Sequence, residues 1–146
     1  MSTREFAESF AEAFNAGDYD TVASYLADDF QFSGPVPEPI DGEQWMGLSK
    51  ILRAAFPDIK YNLRVVGVEG NVVTIVNQLS GTHTGDLDLS AMGMGVIPAT
   101  GKSFSNPEEP GEATVQGDKF VSMHITPTEG AGLMGILAQI GVKPPQ

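Results

Sequence analysis

The sequence of 146 residues contains no cysteine, only eight lysines and arginines, two histidines and one tryptophan. Without cysteine the chain has no disulfide scaffold, no thiol nucleophile and no cysteine-ligated metal site. Nineteen aspartates and glutamates leave a net charge of −11, which repels nucleic acid and anionic lipid. No apolar run approaches the roughly 20 residues of a membrane-spanning helix, and no basic-then-apolar leader opens the chain. We therefore expect a soluble, cytoplasmic protein with no nucleic-acid or membrane partner.

Apolar residues at helical spacing predict three helices in the first part of the chain. The first covers 2–17, opening with a capping-box sequence and closing with glycine. A short second helix begins at Asp18 or Asp20 and carries three larger side chains: Val22, Tyr25 and Leu26. The third begins at Asp41 and ends before Pro57, which cannot continue it. Its apolar face consists of Trp45, Leu48, Leu52, Ala55 and Phe56.

The apolar period then changes to two, which predicts strands joined by glycine turns. The predicted strands are 30–32, 60–69, 72–83, 112–116 and 119–126. A proline-rich loop is expected at 33–39, an irregular segment at 85–111, and a short helix near the C-terminus. This order predicts one α+β domain over 1–146, with a curved, mostly antiparallel sheet wrapped around the three N-terminal helices. Such a cup leaves a hollow where a ligand can bind.

Short segments in order along the chain carry a family resemblance. They are FNAGD (14–18), YLADDF (25–30), GTHTG (81–85), PATGK (98–102), GDKF (117–120) and LAQIGV (137–142). Together they resemble the SnoaL-like polyketide cyclase group of the nuclear-transport-factor-2-like superfamily. The resemblance implies a cone-shaped α+β barrel, a deep pocket, no cofactor and a homodimer formed through the sheet. The acid/base aspartate of the cyclases falls at Thr128 here, which takes up no proton near neutral pH, so their aldol mechanism is not carried over.

The two histidines are the candidate proton shuttles, because imidazole titrates near neutral pH. Strand alternation places His83 on a face with Asn77 and Leu79, and His124 on a face with Ser122. We expect both faces to look inward, with either histidine as general base and Asn77 as donor to a developing enolate. The alternative is that each histidine is a satisfied, half-buried core residue. A metal site is not expected, although carboxylates lie nearby in sequence.

Further candidate ligand contacts follow from the predicted cup. They are Phe32, Trp45, Asn77, Leu79, Met92, Met94, Glu112 and Ser122. Trp45 either stacks on a ring-shaped ligand or packs in the core, and the methionines lie in a lid or an ordinary loop. Glu108, Glu109 and Glu112 form a solvated acidic run, of which Glu112 is the one expected to point inward.

These features favour a cofactor-independent protein with a pocket for a small hydrophobic or aromatic molecule. It is expected to be a cyclase, dehydratase or isomerase that uses a pocket histidine. The alternatives are a non-catalytic binder or carrier, consistent with the missing aspartate, and a structural or interaction module whose pocket is filled by its own side chains.

Overall fold

The computed structural model describes residues 2–34, 38–90 and 93–142. Residues 35–37 of the proline-rich loop and the candidate Met92 lie outside the described residues. The helices are α1 Thr3–Ala16, α2 Tyr19–Ser24, α3 Gly42–Ala55 and α4 Gly132–Gln139. The strands are β1 Leu26–Ser33, β2 Ile40–Asp41, β3 Arg64–Glu69, β4 Val72–Asn77, β5 Ser80–Thr82, β6 Leu87–Leu89, β7 Gly95–Ile97, β8 Ser103–Ser105, β9 Glu109–Gln116 and β10 Lys119–Ile125.

The helix boundaries follow the predicted caps. Ser2 and Glu5 form the capping box of α1, and Gly17 closes the helix with φ 77°, a left-handed conformation that suits glycine. The Asp41 side chain accepts the Gln44 backbone N–H at the start of α3, and Gln44 returns the bond. The second helix was predicted too long, because it ends at Ser24 and Leu26 already belongs to β1.

The main sheet has six strands in the order β2-β1-β10-β9-β4-β3. Only the β1–β10 pair is parallel within this sheet, and the other neighbours are antiparallel. Two small antiparallel pairs, β5–β8 and β6–β7, lie beside it. The curved sheet packs against the helices, so the predicted α+β class is confirmed. Within the described residues, no helix combines the length and the hydropathy that crossing a membrane requires.

The predicted strand 72–83 is two strands. After β4 the chain leaves the main sheet, and β5 pairs with β8 instead. The predicted inward face nevertheless continues through this break, since the odd-numbered residues Val73, Leu79 and His83 are all buried. Strand β6 was not predicted, because residues 87–89 are too short a stretch to show a period in an irregular segment.

A bulge in β10 overturns the expected direction of its side chains. The register with β9 shifts between Phe120 and Ser122, which places one extra residue in β10. Phe120, Met123 and Ile125 therefore point into the core, and His124 is exposed on the outer face. The prediction that Ser122 and His124 look inward is wrong, because one inserted residue reverses every side chain that follows.

Strand β9 also differs from its predicted start. It begins at Glu109 rather than at residue 112, and alternate residues from Glu109 to Val115 are buried. Glu112 belongs to the other parity and is exposed, so the inward carboxylate is Glu109 and not Glu112. Glu109 is correspondingly not part of a solvated run.

Candidate functional site

A cavity of about 640 Å³ lies between the inner face of the sheet, α3 and α4. This volume falls in the range of ~300–1,000 Å³ that small-molecule pockets occupy. Five of the predicted contact residues line the cavity: Phe32, Trp45, Asn77, Leu79 and Met94. The sequence did not single out several others: Phe14, Ser49, Tyr61, Glu109, Met123 and Leu133. Among the described lining residues none is lysine, arginine or histidine.

The aromatic wall of the cavity is built around Trp45. Its ring stacks on Phe32 with centroids 5.0 Å apart and 11° between the planes, and on Phe14 at 5.3 Å and 21°. Trp45 is buried and lines the cavity, so it packs in the core and offers a surface to a ligand at once. Because it is the only tryptophan of the chain, its fluorescence reports on the cavity alone.

The polar centre of the cavity is a cross-strand pair. Asn77 on β4 and Glu109 on β9 are direct partners in the ladder, and both line the cavity. Side chains at such positions have Cβ atoms about 5 Å apart. The Asn77 Oδ1 atom is buried and has no hydrogen-bond partner among the described residues. A protonated Glu109 has the O–H donor that this oxygen lacks.

Two opposing influences act on the pKa of the Glu109 carboxyl. The residue is only 3% exposed, and this burial raises the pKa of the carboxyl, the larger of the two effects. The Gly132 backbone N–H at the start of α4 lowers it, because it favours the charged form. The net shift is upward, which brings the titration of Glu109 closer to neutral pH.

A second polar group forms part of the cavity wall but is already satisfied. The Tyr61 hydroxyl lies 2.9 Å from the Tyr19 hydroxyl and donates to the Ser49 carbonyl at 3.3 Å. The Arg53 Nε atom donates to the Tyr19 hydroxyl at 3.2 Å. Burial raises the pKa of Tyr61, so the phenol stays neutral. These bonds hold the wall in place.

His83 lies outside the cavity lining. It is fully buried, and its Nδ1 accepts the Thr100 backbone N–H at 3.2 Å and lies 2.9 Å from the Thr100 hydroxyl. Its ring packs on Phe56 at 5.2 Å. Burial lowers the pKa of His83, which favours the neutral ring, and nearby Asp86 opposes this in part. The contacts make His83 an anchor for the segment around residue 100.

The cavity lining also lacks the three residues that were predicted to look inward from β9 and β10: His124, Ser122 and Glu112. The Ser33 hydroxyl lies 3.0 Å from His124 Nδ1 on the outer face of the sheet, where Glu112 is the neighbour of His124 on β9. Neither Ser122 nor Glu112 lines the cavity. Thr128, the position of the expected cyclase aspartate, donates its hydroxyl to the Thr126 carbonyl and is likewise absent from the lining.

Comparison with known proteins agrees with this architecture. The family model described as SnoaL-like polyketide cyclase matches residues 4–108. The chain belongs to that family. The sequence matches no curated protein.

Solved structures share the fold of this SnoaL-like chain. IdmH from Streptomyces antibioticus, a proposed polyketide cyclase, has a TM-score of 0.70 at 24% identity, covering 97% of this chain and 100% of IdmH. AclR from Streptomyces galilaeus, a proposed hydroxylase, has a TM-score of 0.72 at 19% identity, covering 99% and 83% of the two chains. A protein of unknown function from Cytophaga hutchinsonii, described as NTF2-like, has a TM-score of 0.57 at 18% identity, covering 86% and 88%. These identities establish the cone-shaped fold alone, and the different descriptions show that the fold does not determine the activity.

The SnoaL-like cavity has few polar groups among its described lining residues. It holds one carboxyl, one amide and otherwise mainly apolar side chains. The described residues contain no group of three or more histidine, aspartate or glutamate side chains suited to hold a metal ion. The site thus places a buried carboxyl beside a carboxamide.

Proposed function

We propose that the chain is a cofactor-independent enzyme of the cyclase, dehydratase or isomerase type, which moves a proton on a small apolar molecule held in the cavity. Glu109 is its acid and base, in place of the histidines expected from the sequence. The observation that carries the proposal is a buried carboxyl with a raised pKa inside an apolar cavity. An acid that titrates closer to neutral pH can both accept and return a proton there.

The proposed cycle uses one proton and the two partners of the cross-strand pair. The Glu109 carboxylate takes a proton from the carbon next to a substrate carbonyl, and the electron pair moves onto the carbonyl oxygen. The Asn77 amide N–H donates to this oxygen as it gains charge. Glu109 then returns a proton to another atom, either a carbon in an isomerisation or a departing hydroxyl in a dehydration, and in deuterium oxide the carboxyl exchanges its proton with solvent between the two steps. The acid ends in the state in which it began.

The lining also supports a neutral ligand. An anionic substrate would meet Glu109, no cationic side chain among the described lining residues, and a chain of net charge −11. The stacked wall around Trp45 and Phe32 suits a flat apolar ring system. A small hydrophobic or aromatic molecule that carries a carbonyl group fits both features.

The test is to recover small molecules from the purified chain and from two variants made in the same host. Glu109→Gln keeps the shape of the side chain and cannot exchange a proton, whereas Glu112→Gln makes the same change on the outer face of β9. Native and denaturing mass spectrometry identify the bound compounds. We expect Glu109→Gln to retain a neutral precursor that the parent and Glu112→Gln convert. An identical compound in identical amount in all three proteins would contradict the enzyme assignment.

A second candidate is a non-catalytic binder or carrier. The observation that favours it is Thr128, which stands where the resemblance places the cyclase aspartate and does not line the cavity. A carrier binds its ligand saturably and releases it unchanged. Quenching of Trp45 fluorescence by an added ligand, with no product after prolonged incubation, favours the carrier over the enzyme.

The cytoplasmic location and the homodimer through the sheet remain predictions. Val66 on β3 is 50% exposed, and it supports a contact surface near that edge of the sheet. Light scattering of the parent chain and of Val66→Glu tests the dimer. A parent dimer that the added charge dissociates agrees with this surface, and a parent monomer contradicts the dimer.

A further inference from the structure

The C-terminal helix α4 forms one wall of the cavity, and its own sequence stabilises it only weakly. It is only eight residues long and begins at a glycine. Its N-cap residue, Ala131, has no side chain that can accept a backbone N–H. Short helices of this kind are marginal alone, so their position depends on tertiary contacts.

Ile136 and Leu137 anchor α4 in the apolar core, and two polar side chains add hydrogen bonds to its two ends. Asn106 is 1% exposed, and its Nδ2 donates to the Gly132 carbonyl at 3.2 Å. Gln139, in the last turn of α4, donates from Nε2 to Asn106 Oδ1 at 2.7 Å. The Gln139 Oε1 atom in turn accepts the Ser105 backbone N–H at 2.8 Å. Both ends of α4 are thereby tied to the segment that leads into Glu109.

We propose that Asn106 and Gln139 are positioning residues, which hold the start of α4 so that the Gly132 N–H faces the Glu109 carboxyl. The inference rests on the proposed role of Glu109. Neither residue lines the cavity, so neither contacts a ligand there. They act through Gly132, whose N–H favours the charged carboxylate, and they set how readily Glu109 gives up its proton.

The test measures the titration of Glu109 directly, by NMR of its carboxyl carbon in ligand-free protein. The signal is assigned by its loss in Glu109→Gln. Asn106→Leu keeps the number and branching of the side-chain heavy atoms and removes both side-chain bonds. We expect the midpoint to rise by about one pH unit, the size of one lost hydrogen bond to a charged group. In Gln139→Met the Asn106–Gly132 bond survives, so the midpoint rises by less.

Val22→Ala is the matched control, because Val22 is fully buried on α2, and α2 packs mainly against α1, α3 and β1. It lowers stability and leaves the midpoint unchanged. If Asn106→Leu does not fold, Gln139→Met decides alone, since Gln139 is exposed and tolerates the change. A midpoint equal to that of the parent in folded Asn106→Leu and Gln139→Met overturns the proposal. A shifted midpoint in a chain that turns over no substrate refutes the proposed function and leaves the positioning role intact.

Discussion

Replacing Glu109 with glutamine should stabilise the chain near neutral pH while it removes the proposed acid and base. The folded state raises the pKa of this carboxyl, so it binds the proton more tightly than the unfolded chain does. The stability that this contributes is complete below the ordinary glutamate pKa of about 4.3 and is lost as the pH rises through the raised value. Glutamine is neutral at every pH, so the variant loses no stability through ionisation at this position.

The magnitude follows from linkage. Each unit of pKa shift corresponds to about 1.4 kcal/mol in the free energy of unfolding once Glu109 is ionised. In a chain of this size, 1 kcal/mol moves the melting temperature by about 3 °C. The introduced glutamine can also donate to the unpartnered Asn77 Oδ1 and accept the Gly132 N–H, so it keeps the local hydrogen bonds. We therefore expect Glu109→Gln to melt a few degrees above the parent at about pH 8, with the gap closing towards about pH 5.

The assay is thermal unfolding of the parent, Glu109→Gln and Glu112→Gln over this pH range. The lower limit stays above the isoelectric point near 4.3, where the protein would precipitate. Comparing the melting temperatures of the three proteins at each pH removes the effect that pH has on any strongly acidic chain. Glu112→Gln should follow the parent, because its carboxylate is exposed. A difference between Glu109→Gln and the parent that is the same at both ends of the range would refute the burial argument.

Three further predictions concern the rest of the fold. His83→Gln loses the Thr100 contacts and should be less stable than the parent. Because burial lowers the pKa of His83, this difference in the free energy of unfolding is full above about pH 6.5 and shrinks as the pH falls. Urea unfolding at several pH values measures the difference, and a constant difference would contradict the prediction. Asp41→Ala removes the α3 capping box and should cost about 1 kcal/mol by urea unfolding, whereas Asp41→Asn should cost less. Gly34→Ala should lower the melting temperature sharply, because its Cβ would lie 1.8 Å from the Ile125 carbonyl oxygen and its φ of 114° is strained for alanine. A melting temperature equal to that of the parent would contradict this prediction.

Local signals predicted the helical half of the chain. The capping boxes at Ser2 and Asp41 are complete within four residues of sequence, and Gly17 marks the end of α1 by its own conformational freedom. Such features depend on neighbours along the chain and survive in the fold. Trp45 and Phe32 face the cavity for the same reason, since helix and strand periods alone decide their faces.

The positions of the polar residues could not be predicted from the alternation of apolar and polar residues along the strands. In β10 both faces carry apolar residues, Phe120 on one and Met123 on the other, so the sequence shows no sign of the bulge between them. That single inserted residue turned His124 outward. A pattern of alternation cannot reveal a bulge unless a glycine or a polar intruder marks it.

Glu109 was missed because of the proline that follows it. Pro110 argues against a central strand, and β9 lies between β4 and β10. Near the start of β9, however, Pro110 still pairs with Val76, and its carbonyl accepts the Thr126 N–H. Extending the alternation of Ala113 and Val115 back through Pro110 would have placed Glu109 on the inner face.

The most direct test of the central claim is solvent deuterium incorporation into a neutral apolar ketone such as β-tetralone. The parent chain, Glu109→Gln and Glu112→Gln are each incubated with the ketone in deuterium oxide, and mass spectrometry follows exchange at the carbons next to the carbonyl. We predict that the parent and Glu112→Gln accelerate exchange above the buffer rate and that Glu109→Gln does not. Equal acceleration by Glu109→Gln would contradict the assignment of Glu109, and binding of the ketone without acceleration by any of the three would identify a carrier.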